Sequence, residues 1–150
     1  MTIQEKQYYE KFMHQCIALA KIAKNRGDSP VGSIIVNQHT IIAEGIEAGK
    51  TKKDITFHAE IEAIRNAVKK TGKTDLSDCI MFTTHEPCIM CSYVIRHYKI
   101  KSVIVGITTQ EIGGYSSALP LLLDTTITKW TKPPTIITGI LEQECKNLHQ

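Results

Sequence analysis

The sequence predicts an α/β fold, a three-layer α/β/α sandwich around a mixed five-stranded sheet. Segments with a helical spacing of apolar residues alternate along the chain with short β-branched segments, which is the order expected of α/β proteins. Residues 102–107 form a continuous apolar stretch, typical of a strand buried on both faces. The length of 150 residues, of which 42% are hydrophobic, suits a single domain spanning positions 1–150.

The first half of the chain predicts a helix, a β-hairpin and a second helix. Apolar residues recur every three or four positions up to Arg26, and Gly27 offers a left-handed exit from that helix. Two β-branched segments flank a polar tetrapeptide, which is typical of a hairpin, and a polar irregular stretch follows them. The predicted elements are helix 6–26, strands 31–36 and 41–43, loop 44–57 and helix 58–70.

The second half predicts three strands, each followed by a helix or a helical turn. Pro87 occupies a favourable first-turn position for a helix, Gly113 and Gly114 mark a loop, and Pro133 with Pro134 marks a break. The predicted elements are strand 79–84, helix 87–97, strand 102–107, helical turn 118–123, strand 135–140 and helix 141–148.

Composition excludes several classes of protein. No stretch approaches 18 consecutive apolar residues, and the first residues lack the basic segment and apolar core of a secretory signal. We therefore expect a cytoplasmic protein with no membrane partner. The net charge of +3, from 18 basic and 15 acidic residues, is mild, and the small lysine clusters are interpreted as a solvated surface.

Two of the five cysteines, Cys88 and Cys91, are three positions apart at the start of a predicted helix. At this spacing both sulfurs lie on one helical face, and the first turn of a helix favours the thiolate form. Zinc fits such sulfur ligands best. A redox-active pair is the alternative, although it gives no role to a histidine. The remaining thiols, those of Cys16, Cys79 and Cys145, are predicted to be buried or incidental.

His58 is the natural third zinc ligand because it begins a predicted helix and precedes Glu60 by two positions. In the first turn of a helix that points at the metal, both side chains can converge on one target. Three protein ligands leave a fourth tetrahedral position for water, as in catalytic zinc sites. A carboxylate beside that water can accept its proton, which makes Glu60 the candidate general base.

The spacing of these motifs carries a family resemblance. Residues 58–60 read His-Ala-Glu and residues 86–91 read Glu-Pro-Cys-Ile-Met-Cys, a pairing that is the signature of zinc deaminases acting on cytosine or adenine. The chain resembles the cytidine deaminase-like superfamily, in the branch containing bacterial tRNA adenosine deaminase, guanine deaminase and fungal-type cytosine deaminase. The resemblance extends from the first helix to about Cys145, with further likeness at residues 30–32, 43–45 and 139–141.

The resemblance implies one zinc ion per chain, held by His58, Cys88 and Cys91, with Glu60 as the proton shuttle. The reaction implied is hydrolytic deamination, in which an amino-substituted ring becomes the oxo product and ammonia is released. A homodimer is also implied, because small proteins of this family commonly complete their pockets across subunits.

The same resemblance implies a set of contacts with the substrate. The backbone N–H of Ala59 would donate to a ring acceptor, and the backbone near Glu86 would accept from the amino group. Val31 is expected to line the pocket, and His85 is expected either to stack on the ring or to pack against the protein. These predicted substrate-binding residues are Val31, Glu47, Ala59, His85 and Glu86.

Glu47 departs from the family pattern, because an asparagine that reads the base commonly stands there. An amide both donates and accepts, whereas a carboxylate only accepts, so Glu47 predicts a preference for amino-rich rings. Residues 108–112 and 142–150 also carry few of the cations that RNA-editing relatives place there. We therefore expect a guanine- or cytosine-like nucleobase as the substrate, with tRNA the less favoured partner.

Two alternatives stay open. The first is a tRNA-specific adenosine deaminase acting at the wobble position, which uses the same chemistry on a larger substrate. The second is a non-catalytic zinc module, which would need a fourth protein ligand such as His85 or His97 and would leave Glu60 without a role.

Overall fold

Four helices and five strands make up the fold in the computed structural model, which describes residues 1–150. The helices are α1 (Ile3–Asn25), α2 (Ala59–Thr71), α3 (Ile89–His97) and α4 (Glu142–Asn147). The strands are β1 (Gly32–Asn37), β2 (Thr40–Ile46), β3 (Ile80–His85), β4 (Ser102–Ile107) and β5 (Thr135–Ile137). A 3-10 turn at Leu121–Leu123 lies between β4 and β5.

The strands form one mixed sheet in the order β2-β1-β3-β4-β5. Strand β1 is antiparallel to both β2 and β3, whereas β3, β4 and β5 are parallel. The predicted mixed five-stranded sheet is therefore confirmed. None of the helices combines the length and the apolar content that a membrane crossing requires.

Helices cover both faces of the sheet, which confirms the three-layer prediction. Because successive strand residues point to opposite faces, Ile34 and its neighbour Ile35 in β1 enter different cores. Ile34 packs with Phe12 of α1 and with Cys145 of α4. Ile35 packs instead with Ile64 of α2 and with the side chains contributed by α3.

The structure differs from the predicted elements mainly at their ends. Helix α1 begins three residues early, because the Thr2 hydroxyl accepts from the Glu5 N–H and the Glu5 carboxylate accepts from the Thr2 N–H in return. The prediction of a loop from residue 44 is wrong for residues 44–46, which continue β2. This continuation depends on Gly45, where a Cβ atom would lie 2.0 Å from the Ala59 carbonyl oxygen. Strand β5 is three residues shorter than predicted.

A buried carboxylate shapes the loop that leads from β2 to α2. The Asp28 carboxylate accepts from the backbone N–H groups of Lys50 and Thr51, at 3.1 and 2.9 Å, and from the Thr51 hydroxyl at 2.9 Å. Burial acts to raise the pKa of Asp28, but these hydrogen bonds outweigh it and hold the pKa below its usual value. The loop thus has a fixed course between Glu47 and His58.

Replacing Asp28 with asparagine is expected to lower the free energy of unfolding by about 1–2 kcal/mol near neutral pH, because an amide cannot satisfy all three donors. The pKa of Asp28 is depressed in the folded state, so its contribution is present above the unfolded pKa of about 3.9 and is lost as the pH falls further. Urea unfolding between pH 7 and pH 3 measures this difference.

The stability gap between the wild type and D28N should therefore narrow below about pH 4. Glu10→Gln, which removes a partly exposed carboxylate on α1 that forms no hydrogen bond or ion pair, serves as the control and should leave the unfolding free energy nearly unchanged. A gap that stays constant over the whole pH range would contradict the assignment.

Candidate metal centre and active site

The first turns of two helices meet at one edge of the sheet and bring three zinc-binding side chains together. His58 is the N-cap of α2 and Cys88 is the N-cap of α3, each with an extended backbone conformation. Cys91 is the third residue of α3, so its sulfur lies on the same face as that of Cys88. The extended backbone at both caps directs the side chains past the helix ends toward a common point.

The distances between the ligand atoms fit a zinc ion. The Nδ1 atom of His58 lies 3.5 Å from the Cys88 sulfur and 3.4 Å from the Cys91 sulfur. Bond lengths of about 2.0 Å to nitrogen and 2.3 Å to sulfur place two such ligands about 3.6 Å apart at a tetrahedral ion. The three donor atoms all lie within 4.8 Å of one another. Their spacing and their chemistry therefore both suit zinc.

The cluster is electrostatically coupled. Hydrogen bonds from Cys91 and from His58 lower the pKa of Cys88 to about 4, so its sulfur is a thiolate at neutral pH. The same interaction with the Cys88 sulfur raises the pKa of His58 to about 9, and it raises that of Cys91 above its usual value. A metal ion must displace these protons, so zinc affinity falls as the pH decreases.

Glu60 is the second residue of α2 and is almost fully buried at the wall of the cavity beside His58. Burial raises the pKa of its carboxyl to about 8. A carboxyl group held beside the zinc ligands at this cavity is placed to accept a proton and to return it.

A cavity of about 400 Å³ opens beside the cluster and is lined by His58, Cys88 and Glu60. This volume lies within the range of small-molecule binding sites. Of the predicted substrate-binding residues, four also line this cavity: Val31, Glu47, His85 and Glu86. The structure thus brings them together, while their contacts with a substrate remain predictions.

The fifth predicted residue, Ala59, is fully buried, and its N–H already has an acceptor within the protein. It donates to the Glu47 carboxylate at 3.2 Å, and the other Glu47 oxygen accepts from the Gly49 N–H at 3.3 Å. Glutamate has one methylene more than asparagine, and this extra length lets the Glu47 carboxylate reach the N-terminus of α2. A substrate that binds the Ala59 N–H must therefore compete with Glu47.

Neither histidine considered as a fourth ligand belongs to the cluster. His85 lines the cavity without joining the three donor atoms. His97 lies at the far end of α3, where its ring stacks on Tyr93 with 6.2 Å between the ring centroids. A non-catalytic zinc module needs a fourth protein ligand, and neither His85 nor His97 supplies one.

The cavity also contains residues that sequence reasoning missed, namely Ser29, Thr109, Ile112 and His149. His149 follows α4, and its ring centroid lies 5.4 Å from that of His85. Burial lowers the pKa of both imidazoles, which keeps them neutral at pH 7. No local pattern marks His149, because packing of Cys145 and Leu148 in the core brings it to the site.

The same sequence pattern and fold occur in known proteins. A family model for the cytidine and deoxycytidylate deaminase zinc-binding region matches residues 6–107. The chain belongs to this zinc-dependent deaminase family. It is accordingly an enzyme that acts on carbon–nitrogen bonds of cyclic amidines, and zinc is its cofactor.

Two relatives within the family cover most of the chain. The tRNA-specific adenosine deaminase of Buchnera aphidicola subsp. Baizongia pistaciae is 35% identical over 137 residues, which cover 91% of this chain and 83% of the relative. The protein of the same name from Aquifex aeolicus is 35% identical over 128 residues, covering 83% of this chain and 85% of the relative.

Solved structures of family members share the fold. One, from a study of A-to-I editing by tRNA:A34 deaminases at the wobble position of transfer RNA, superposes with a TM-score of 0.85 at 26% identity. The match covers 92% of this chain and 98% of that one. The guanine deaminase of Bacillus subtilis gives a TM-score of 0.63 at 40% identity, covering 66% of this chain and 64% of that one.

The expectation that tRNA is the less favoured partner is wrong, because the relatives that cover nearly the whole chain are named tRNA-specific adenosine deaminases. That expectation was based on the small number of lysines and arginines in residues 108–112 and 142–150. Three exposed lysines, Lys50, Lys52 and Lys53, lie instead in the loop that joins Glu47 to His58. Positive charge is thus present on a different segment, whose two ends, Glu47 and His58, line the cavity.

We expect the purified protein to bind one zinc ion per chain, and Cys88→Ala to lower the zinc affinity at least about 100-fold, because a thiolate ligand is lost. Competition with a chromogenic chelator measures this affinity. Cys79→Ser is the matched control, since the Cys79 thiol interacts with Asp78 away from the cluster. Equal zinc affinity in the wild type and in C88A would contradict the assignment of ligands.

Proposed function

We propose that this protein is a tRNA adenosine deaminase that converts adenosine to inosine at the wobble position, consuming one water and releasing one ammonia. The observation that carries the chemistry is the meeting of His58, Cys88 and Cys91 with Glu60 at one cavity. The resemblance to tRNA-specific adenosine deaminases over about nine-tenths of the chain supports the substrate. A tRNA substrate also agrees with the expected cytoplasmic location.

His58, Cys88 and Cys91 are the residues that hold the cofactor. When bound, zinc supplies a Lewis acid that makes water a nucleophile at neutral pH. Glu60 takes a proton from the attacking water and delivers it to the ring nitrogen next to the amino-bearing carbon. It then takes the remaining proton from the hydroxyl group added to the ring carbon and delivers it to the amino group. The carbon–nitrogen bond breaks, ammonia leaves and the oxo product remains.

The cavity walls orient the base for this reaction. Glu47 presents carboxylate oxygens, which only accept hydrogen bonds, while the neutral imidazoles of His85 and His149 offer ring faces and nitrogen atoms. The cavity of about 400 Å³ is large enough for one base but not for its neighbours in the RNA, which remain outside. Such extrusion of the target base is how deaminases reach an atom otherwise shielded by stacking.

The lysines of the loop before α2 suit contact with an RNA backbone. Lys50, Lys52 and Lys53 are exposed, and the Lys52 amine lies 4.4 Å from the Phe57 ring centroid. Asp28 accepts from the backbone N–H groups of Lys50 and Thr51, so this part of the loop has a defined backbone position. The two ends of the loop, Glu47 and His58, line the cavity. Phosphate neutralisation by lysine supplies much of the affinity of proteins for RNA.

The direct test measures inosine and ammonia after incubation of the zinc-loaded protein with an adenosine-containing anticodon stem-loop. Free adenosine, cytosine and guanine serve as comparison substrates. We expect kcat/KM for the stem-loop to exceed that for each free compound by at least about 100-fold. Only the RNA has phosphates that can contact the protein and contribute to binding. Preferential turnover of guanine or cytosine would contradict the proposal. Sedimentation of the same sample tests the homodimer, which stays a prediction.

Replacing Glu60 with glutamine is expected to lower kcat by about 10³-fold while one zinc ion per chain remains bound, because only the proton carrier is lost. Glu62→Gln is the matched control two residues along α2, where the carboxylate pairs with Arg65 at the surface. Near-normal kcat in E60Q, or the same loss in E62Q, would contradict the role of Glu60.

Neutralising Lys50, Lys52 and Lys53 together to glutamine is expected to raise KM for the stem-loop about tenfold at moderate salt. It should also reduce the slope of log affinity against log salt by about 2. Filter binding over a salt series measures both effects. The control neutralises Lys69 and Lys70, in the last turn of α2, together with Lys73, which follows the helix. The last turn lies about 15 Å along the helix axis from His58. Equal effects of the two triple variants would show that only total charge matters.

A further inference from the structure

The segment 109–116 forms one wall of the reaction cavity without belonging to any helix or strand. It follows β4 and contributes Thr109 and Ile112 to the cavity. Since no regular hydrogen-bond ladder holds this wall, its shape depends on other contacts.

The Glu86 side chain supplies those contacts. It is 1% exposed, and one carboxylate oxygen accepts from the Thr109 N–H at 3.0 Å and from the Ser116 hydroxyl at 2.6 Å. The other oxygen accepts from the N–H groups of Tyr115 and Ser116, at 2.9 and 2.8 Å. No lysine or arginine forms an ion pair with this carboxylate. Its buried charge is therefore satisfied entirely by the segment 109–116.

The backbone of the same segment pairs with the start of α3. The Ile89 N–H donates to the Ile112 carbonyl at 2.9 Å, and the Gly114 N–H donates to the Pro87 carbonyl at the same distance. Gly113 forms an isolated bridge with Cys88. A Cβ atom on Gly113 would lie 2.0 Å from a Glu86 oxygen, so only glycine permits this close approach. Residues 109–116 thus pack closely around the Glu86 side chain.

We propose that Glu86 is a positioning residue whose carboxylate fixes residues 109–116 as a preformed wall of the cavity and thereby sets the affinity for substrate. Four donors converge on one acceptor-only group. A neutral amide cannot reproduce this arrangement, because its NH₂ would face at least one N–H group in either orientation. The effect belongs to binding, since neither Thr109 nor Ile112 can move a proton in the reaction. The affinity part of this proposal rests on the proposed function.

The test compares three variants of the zinc-loaded protein: Glu86→Gln, Ser116→Ala, which removes one of the four donors, and the control Glu111→Gln. Glu111 is an exposed acidic residue of the same segment, so this control removes an equal charge without a buried contact. We expect E86Q to raise KM for the stem-loop at least about tenfold with kcat within about threefold of the wild type. S116A should show a smaller rise in KM, and E111Q no change.

A second measurement needs no substrate and so separates this proposal from the proposed function. Hydrogen exchange at the amides of Thr109, Tyr115 and Ser116 should become at least about tenfold faster in E86Q and remain unchanged in E111Q. Suppose that the wild type does not act on the stem-loop but that exchange at these amides becomes faster in E86Q. The role of Glu86 in fixing the wall is then supported, and the assignment of the substrate fails.

Three results would overturn the proposal. The first is unchanged KM and unchanged amide exchange in E86Q, even if its melting temperature falls, because that indicates a merely structural role. The second is loss of zinc or of kcat without a rise in KM, which would place the effect on Cys88. The third concerns the case in which E86Q does not fold, and it uses two other variants: S116A, and Gly113→Ala, which crowds the intact carboxylate. If both variants then leave KM and amide hydrogen exchange unchanged, the proposal is overturned.

Discussion

The fold brings two helix N-termini to a single point, and the chemistry of the protein depends on this convergence. His58 and Cys88 are both N-cap residues, so their side chains leave the helices where the helix dipoles create positive potential. That potential favours the thiolate form that a metal ligand needs. Glu60, in the first turn of α2, is held beside the same point. The remaining elements keep the two helices in this arrangement.

Much of this arrangement could be predicted from the sequence, because it follows from local patterns. Apolar periodicity, β-branched segments and the positions of proline and glycine located every helix and strand. The spacing of His58, Cys88 and Cys91 predicted the zinc site before any geometry was known. Errors at element ends arose where tertiary contacts overrode local signals. At Gly45, for example, close packing of α2 on β2 extends a strand into residues that look like a loop.

The parts that could not be predicted arise from contacts between residues distant in sequence. His149 reaches the cavity only because α4 packs on the sheet, and Glu86 acquires its role only when residues 109–116 fold over it. The error about tRNA has a similar origin. The prediction considered only the positions where RNA-editing relatives carry cations. The exposed lysines lie instead in the loop between Glu47 and His58, where Asp28 accepts hydrogen bonds from two backbone N–H groups.

The zinc ligands also come from the two differently organised halves of the sheet. His58 follows the antiparallel hairpin of β1 and β2, and the two cysteines follow β3, where the parallel half begins. A bound ion therefore cross-links these halves, closing a chain segment of 30 residues between His58 and Cys88. Because the ion binds only the assembled site, the melting temperature rises with the concentration of free metal. Melting temperatures of variants can therefore be compared only when the variants carry equal amounts of zinc. Otherwise a difference in melting temperature reflects occupancy of the zinc site rather than packing of the protein.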